Sequence, residues 1–118
     1  KQKTEGLCWL DGYFNKIKVN GLDYLGRDYK IPHMGWNTLH IEYNHSILKN
    51  ISGNEQFYFV HSYVLETNQT NQILANTNYC QKIPAIIGRD NYIGVQFHPE
   101  KSGNSGQKFI YNWLKWIP

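Results

Sequence analysis

The string QFHPE at positions 96–100 holds the residues best suited to proton chemistry in this 118-residue chain. His98 ends an apolar segment typical of a β-strand, and ligand sites of open α/β sheets lie at the carboxyl ends of strands. Pro99 cannot extend a strand through its nitrogen, so the strand is expected to stop there. Residues i and i+2 of an extended segment point to the same side, which places the Glu100 carboxylate beside the His98 imidazole. This pair is either the base and orienting carboxylate of a nucleophile triad or a cap of the following helix.

Four strand-like segments and one helix are predicted to position this pair. The segments at 39–43, 56–65, 83–88 and 92–97 are rich in apolar, aromatic or β-branched residues, and the last two predict a hairpin with its turn at 89–91. A short helical turn is predicted at 46–50. From residue 102 onward the spacing predicts an amphipathic helix. Its apolar stripe would consist of Phe109, Ile110, Trp113, Leu114 and Ile117. Strands followed by a terminal helix indicate an α/β domain.

Composition allows one domain and excludes several classes of function. The chain is 41% hydrophobic and 15% aromatic, which is enough for one core, and its 12 Lys+Arg and 9 Asp+Glu are scattered. Neither nucleic-acid binding nor a membrane patch is indicated, and no apolar stretch reaches the length of about 20 residues that a membrane span needs. The five histidines lack helical metal-site spacing and there is no C-x-x-C, so we predict no metal and no cofactor. Cys8 and Cys80 either form one disulfide or remain thiols.

The balance of strands and helices suggests that a covering layer is missing. The segments at 57–60 and 83–87 are continuously apolar, which is typical of strands buried on both faces. One helix can cover only one face of a sheet. We therefore expect residues 1–118, which do not begin with Met, to be the carboxyl-terminal portion of a larger α/β protein.

Three strings together resemble one known family. QFHPE at 96–100 resembles the His/Glu motif of class I (triad) glutamine amidotransferases. PHMGWN at 32–37 and FYFVHSY at 57–63 resemble signatures of the glutaminase subunits of imidazole glycerol phosphate synthases. All three occur in the expected order, and the resemblance covers the chain from about Glu5 onward.

This resemblance implies a fold and a reaction. The fold would be the carboxyl-terminal portion of a class I, flavodoxin-like domain, with a mixed sheet and a terminal helix. The reaction would be hydrolysis of glutamine to glutamate and ammonia by a Cys-His-Glu triad, in which His98 is the general base and Glu100 orients it. The segment of His61, Ser62 and Tyr63 would help to hold glutamine, although His61 could instead be a structural histidine.

The resemblance also implies a partner. Ammonia would pass to a (β/α)8-barrel cyclase subunit in a cytoplasmic heterodimer that serves histidine biosynthesis. Trp36 and Lys101 match positions that face the cyclase, although Trp36 could instead be a core aromatic. A paralogous subunit for the amidation of bacterial surface sugars and a non-catalytic partner-binding module remain alternatives.

The nucleophile is where the sequence departs from the family pattern. The family cysteine lies in a Gly-x-Cys-x-Gly elbow, because the sharp turn tolerates no side chain on either flank. Cys8 follows a short polar segment and has Leu10 in place of the second glycine, so it is not expected to be the nucleophile. Cys80 is assigned no catalytic role. We expect the elbow to be absent from these residues and the chain to be inactive alone.

Overall fold

The computed structural model describes residues 2–3, 12–17, 32–88 and 92–116. These residues form nine strands, three 3₁₀ turns and one α-helix. The 3₁₀ turns span Ser46–Leu48, Thr70–Gln72 and Pro99–Lys101. The strands are β1 (Gln2–Lys3), β2 (Gly12–Lys16), β3 (His33–Thr38), β4 (His40–Ile41), β5 (Gln56–His61), β6 (Tyr63–Thr67), β7 (Ile73–Asn78), β8 (Lys82–Gly88) and β9 (Ile93–Val95), and the helix is α1 (Gly103–Lys115).

The strands form three small sheets. Their orders are β1-β2-β6, β3-β5 and β4-β7-β8-β9, and every strand pair between described residues is antiparallel. An isolated bridge between Phe59 and Phe97 joins the β3-β5 pair to the segment that follows β9. The α/β class with a carboxyl-terminal helix is thereby confirmed.

Most predicted elements are present, with shorter or divided bounds. The hairpin of β8 and β9 is confirmed, although its turn at 89–91 lies outside the described residues. The segment 56–65 forms two strands, β5 and β6, because the strand conformation is interrupted at Ser62. The Ser62 carbonyl accepts a 2.8 Å hydrogen bond from the N–H of Ile17. The predicted turn at 46–50 is a 3₁₀ turn over Ser46–Leu48.

Four strands, β1, β2, β3 and β7, were not predicted from the sequence, because β1 has only two residues and the others contain glycine or asparagine, which are uncommon in strands. β7 reads ILANTN, and its Asn76 and Thr77 are buried. Asn76 Nδ2 donates to Glu42 at 2.7 Å, and Thr77 Oγ1 donates to the carbonyl of Thr38 at 2.8 Å. Because buried polar groups are tolerated when they are hydrogen-bonded, tertiary contacts outweigh the weak local preference.

The predicted apolar stripe of α1 is wrong for most of its members. Phe109 is buried in the main core, but Ile110, Trp113 and Leu114 are exposed, and Ile117 lies outside the described residues. The face toward the core is Gly106, Phe109 and Asn112. Asn112 lies outside the predicted stripe, and its Nδ2 bonds the carbonyls of Ile47 and Lys49 at 3.0 and 2.7 Å, so a polar side chain takes part in the buried face.

The prediction that the segment 57–60 is buried on both faces was also wrong. Phe57 and Phe59 are buried, whereas Tyr58 and Val60 on the opposite face are half-buried. In β8 the half-buried Pro84 and Ile87 likewise interrupt the buried residues. No helix in the described part of the chain is long and apolar enough to cross a membrane.

Candidate active site

The imidazole of His98 and the carboxylate of Glu100 contact each other at the end of the strand segment. Nδ1 of His98 lies 3.1 Å from Oε2 of Glu100, and the two side chains are 38% and 62% exposed. The predicted contact is present, but its geometry differs from the extended one expected. Pro99–Lys101 forms a 3₁₀ turn, with the Lys101 N–H donating to the His98 carbonyl at 3.0 Å.

Backbone contacts fix His98 to strand β5. The N–H of His98 donates to the carbonyl of Tyr58 at 2.9 Å. Ser102 is buried, and its Oγ accepts from the Tyr58 N–H at 2.9 Å and donates to the His98 carbonyl at 2.6 Å. Serine before a helix is usually a cap, yet Ser102 makes no side-chain cap bond to α1. Its hydroxyl instead closes the turn onto β5, which the sequence pattern does not reveal.

Close packing of α1 supports the same turn. A Cβ on Gly106 would lie 1.9 Å from the carbonyl oxygen of Pro99, far inside van der Waals contact. Only glycine therefore lets the first turn of the helix approach the backbone that carries Glu100. Gly103 opens the helix at φ +58°, a conformation that glycine adopts without strain.

Local hydrogen bonds keep the Glu100 carboxylate ionised. Its own backbone N–H and the imidazole of His98 lower the pKa of Glu100 below its ordinary value. An ionised carboxylate at Nδ1 holds the ring in one orientation and can stabilise the imidazolium that forms when Nε2 takes a proton. The pair therefore has the arrangement of a base and its orienting group.

The segment of His61, Ser62 and Tyr63 joins the end of β5 to the start of β6. His61 ends β5 three residues after Tyr58, which is about 10 Å along a strand. Nδ1 of His61 lies 3.1 Å from the carbonyl oxygen of Tyr63, and this contact spans the break at Ser62. The Tyr63 side chain is exposed, and burial lowers the pKa of His61. Strand β5 thus carries the contact that anchors His98 and ends at His61, the first residue of the predicted glutamine-holding segment.

His33 was missed as a site residue. It pairs with His61 across β3 and β5, is buried, and places Nδ1 2.9 Å from Nε2 of His61. The string PHMGWN contained it, but nothing in the spacing indicates that its ring meets His61.

Trp36 and Lys101 lie on the outer side of this region. Trp36 is 51% exposed, so its interpretation as a core aromatic is wrong. Its ring is edge-on to Tyr58 at 5.7 Å between centroids, and a Cβ on Gly103 would lie 3.9 Å from its Cη2. Lys101 is exposed two residues before Gly103. Lys101 is therefore the last residue of the 3₁₀ turn that carries Glu100, and Trp36 lies near Gly103, which follows that turn.

The remaining candidates from the sequence are a metal site and the two cysteines. Within the described residues, no group of three or more His, Cys, Asp or Glu side chains is arranged to hold a metal ion. Cys80 lies in the connection between β7 and β8, where its φ is +63°. Cys8 and its flanking residues lie outside the described residues.

Comparison with known proteins identifies the class that this fold and site define. The sequence model of the glutamine amidotransferase class-I family matches residues 16–116. The chain therefore belongs to the class I glutamine amidotransferases.

The curated relatives that match the chain share one name within this class. The imidazole glycerol phosphate synthase subunit HisH of Brucella melitensis is 40% identical over 100% of this chain and 54% of its own length. HisH of Ruegeria pomeroyi is 40% identical over 99% of the chain and 53% of its own length. HisH of Buchnera aphidicola is 44% identical over 85% of the chain and 46% of its own length. The chain thus spans about half the length of the curated relatives it matches.

Proposed function

We propose that this chain carries the His-Glu part of a glutaminase that hydrolyses glutamine to glutamate and ammonia. The observation that carries this function is the 3.1 Å contact of His98 with Glu100, on a turn that is anchored to β5 through Ser102. Membership of the class I glutamine amidotransferases supports the choice of reaction.

Each member of the pair has a role in the proposed reaction. With Nδ1 engaged by Glu100, Nε2 of His98 takes the proton of a cysteine thiol as the sulfur attacks the amide carbon of glutamine. The C–N bond then breaks, and the same proton passes to the leaving nitrogen to give ammonia. Water, deprotonated by His98, hydrolyses the thioester to glutamate and restores the thiol. The nucleophile is neither Cys8 nor Cys80 but a cysteine supplied from outside these 118 residues.

The proposal extends to the residues that hold the substrate and to those that face the partner. His61, Ser62 and Tyr63 hold glutamine near the pair, supported by the place of His61 at the end of β5, the strand to which His98 is anchored. Trp36 and Lys101 form part of the face toward a (β/α)8-barrel cyclase, which receives the ammonia in histidine biosynthesis in the cytoplasm. The relatives named as synthase subunits, and the exposure of both side chains beside the turn, support this assignment.

Measurement of glutamate release tests this function. We expect the full-length protein, with its cyclase, to release glutamate from glutamine, and the 118-residue polypeptide alone to release none. Cys8→Ser and Cys80→Ser in the full-length protein serve as controls and should leave turnover unchanged. Turnover by the isolated chain, or its loss in either control, would show that the nucleophile has been wrongly placed.

A further inference from the structure

The imidazole of His33 is packed between two aromatic rings. Its centroid lies 5.0 Å from that of Phe59, with 15° between the ring planes. On the other side, its centroid lies 4.2 Å from that of Tyr79, with 14° between the planes. Only 3% of the residue is exposed. Burial, followed by the nearby His61, lowers the pKa of His33 to about 4, so the ring is neutral near pH 7. A neutral imidazole has one N–H donor and one acceptor nitrogen, so its partners decide which is which.

The partners around the two histidines decide their tautomers. The Tyr63 carbonyl only accepts, so Nδ1 of His61 must carry the proton in that 3.1 Å contact. Nε2 of a neutral His61 is then an acceptor. Nδ1 of His33, 2.9 Å away, must therefore be the donor. This leaves Nε2 of His33 as an acceptor, and Nδ2 of Asn37 lies 3.5 Å from it. The hydrogen bonds run in one direction, from Asn37 through both rings to Tyr63.

We propose that His33 is a positioning residue that holds His61 in its Nδ1-protonated tautomer and thereby fixes the segment from His61 to Tyr63 for its ligand. Loss of the His33 donor leaves Nε2 of His61 without its partner in this chain of bonds. His61 can then change tautomer or rotate, which breaks its bond to the Tyr63 carbonyl. The choice of glutamine as the ligand rests on the function proposed above, whereas the tautomer of His61 does not.

Two substitutions test the Nδ1–H donor of His33 and the stacking of its ring independently. His33→Phe keeps a flat ring between Phe59 and Tyr79 but removes both nitrogens. His33→Asn removes the stacked ring but can place an amide N–H near the position of Nδ1, so it retains the donor. In full-length protein with its cyclase, we expect His33→Phe to raise KM for glutamine about tenfold with kcat within about twofold, because binding and not chemistry is disturbed. His33→Asn should remain within about threefold of the wild-type KM.

Nitrogen-15 NMR of the histidine rings gives a readout that does not need turnover. At pH 7 the wild-type protein should show a protonated Nδ1 and an unprotonated Nε2 at both His33 and His61. In His33→Phe the His61 signals should move toward a mixture of tautomers, and in His33→Asn they should stay as in the wild type.

Different results would overturn the two parts of the proposal, which are the effect of His33 on the tautomer of His61 and its effect on ligand binding. A wild-type His61 protonated on Nε2, or unaltered His61 signals in folded His33→Phe, would remove His33 as the positioning group. An unchanged KM in His33→Phe, in a protein that hydrolyses glutamine, would remove its effect on ligand binding. If the wild type hydrolyses no glutamine, the proposed function fails, and the NMR signals still decide whether His33 sets the tautomer of His61.

Discussion

Two His-x-Glu segments in this protein have the same spacing and different surroundings. In His40-Ile41-Glu42, Nε2 of the histidine lies 3.7 Å from the carboxylate, and the side chains are 73% and 31% exposed. In His98-Pro99-Glu100 the corresponding separation is 3.1 Å, from Nδ1. The first histidine lies in strand β4, opposite Asn76, whereas the second precedes a 3₁₀ turn.

The two carboxylates differ in what else they bind. Glu42 Oε2 accepts from Asn76 at 2.7 Å and lies 3.6 Å from Nζ of Lys82, so other groups share it. Glu100 bonds its own backbone N–H and the imidazole. A carboxylate orients a histidine when the ring is its main side-chain partner and the backbone holds both residues. Spacing alone therefore does not define a base and its orienting group.

Substitution of the two histidines should give the largest contrast. In the proposed reaction His98 moves the proton, so we expect His98→Asn to lower kcat for glutamine hydrolysis by about 10³-fold or more. His40→Asn, the matched control, should leave kcat within about twofold. Rates are measured as glutamate release by the full-length protein with the proposed cyclase partner. Equal losses in both variants would mean that the contact at 98–100 confers no special role.

Substitution of the two glutamates should give the next largest contrast. Glu100→Gln keeps the size and an acceptor oxygen but removes the charge that would stabilise the imidazolium in the proposed reaction, so we expect kcat to fall by about 10²- to 10³-fold. Glu42→Gln should leave kcat unchanged, since its carboxylate serves Asn76 and Lys82. The same glutamate-release assay applies, and a fall in kcat for Glu42→Gln alone would reverse the assignment of the two segments.

A third histidine, the buried His33, should make the free energy of unfolding sensitive to acid. Its pKa is lowered from 6.5 to about 4, so between these values the unfolded chain binds more protons than the folded one. Stability is then full above pH 6.5, falls as the pH drops toward 4, and changes no further through this group below that. The loss is about 3 kcal/mol.

Urea unfolding of the full-length protein between pH 4 and 7 measures this loss. His33→Phe should flatten the profile by about that amount, because the titrating group is gone. His40→Asn is the control at an exposed histidine, and we expect it to keep the wild-type profile. A wild-type slope retained in His33→Phe would assign the acid sensitivity to other groups.

The sequence predicts the His98–Glu100 contact but not the parts that hold it. The order of apolar strands, the hairpin of β8 and β9 and the terminal helix follow from local patterns of side chains. Ser102, Gly106 and His33 act through residues 44, 7 and 28 positions away, as in the contacts with Tyr58, Pro99 and His61. Such contacts depend on how segments pack, which periodicity within one segment does not encode. The exposed side of α1 was misassigned for the same reason, because Asn112 reaches the carbonyls of another segment.

The anchor of His98 to β5 is the last difference between the two His-x-Glu segments, and its removal should have the smallest effect. Ser102→Ala deletes one acceptor for the Tyr58 N–H and one donor to the His98 carbonyl, both at a buried position. Because unpaired buried groups cost about 1–3 kcal/mol, we expect a loss of about 2 kcal/mol in the free energy of unfolding.

Ser105→Ala is the matched control for this loss. Its hydroxyl bonds Glu55 at 3.0 Å in a partly buried position, so we expect a loss of about 0.5 kcal/mol or less. Urea unfolding gives the stabilities, and glutamate release shows whether a displaced His98 still works. If Ser102→Ala lowers kcat no more than Ser105→Ala does, the 3₁₀ turn holds the imidazole without the serine, and the anchor to β5 contributes to stability alone.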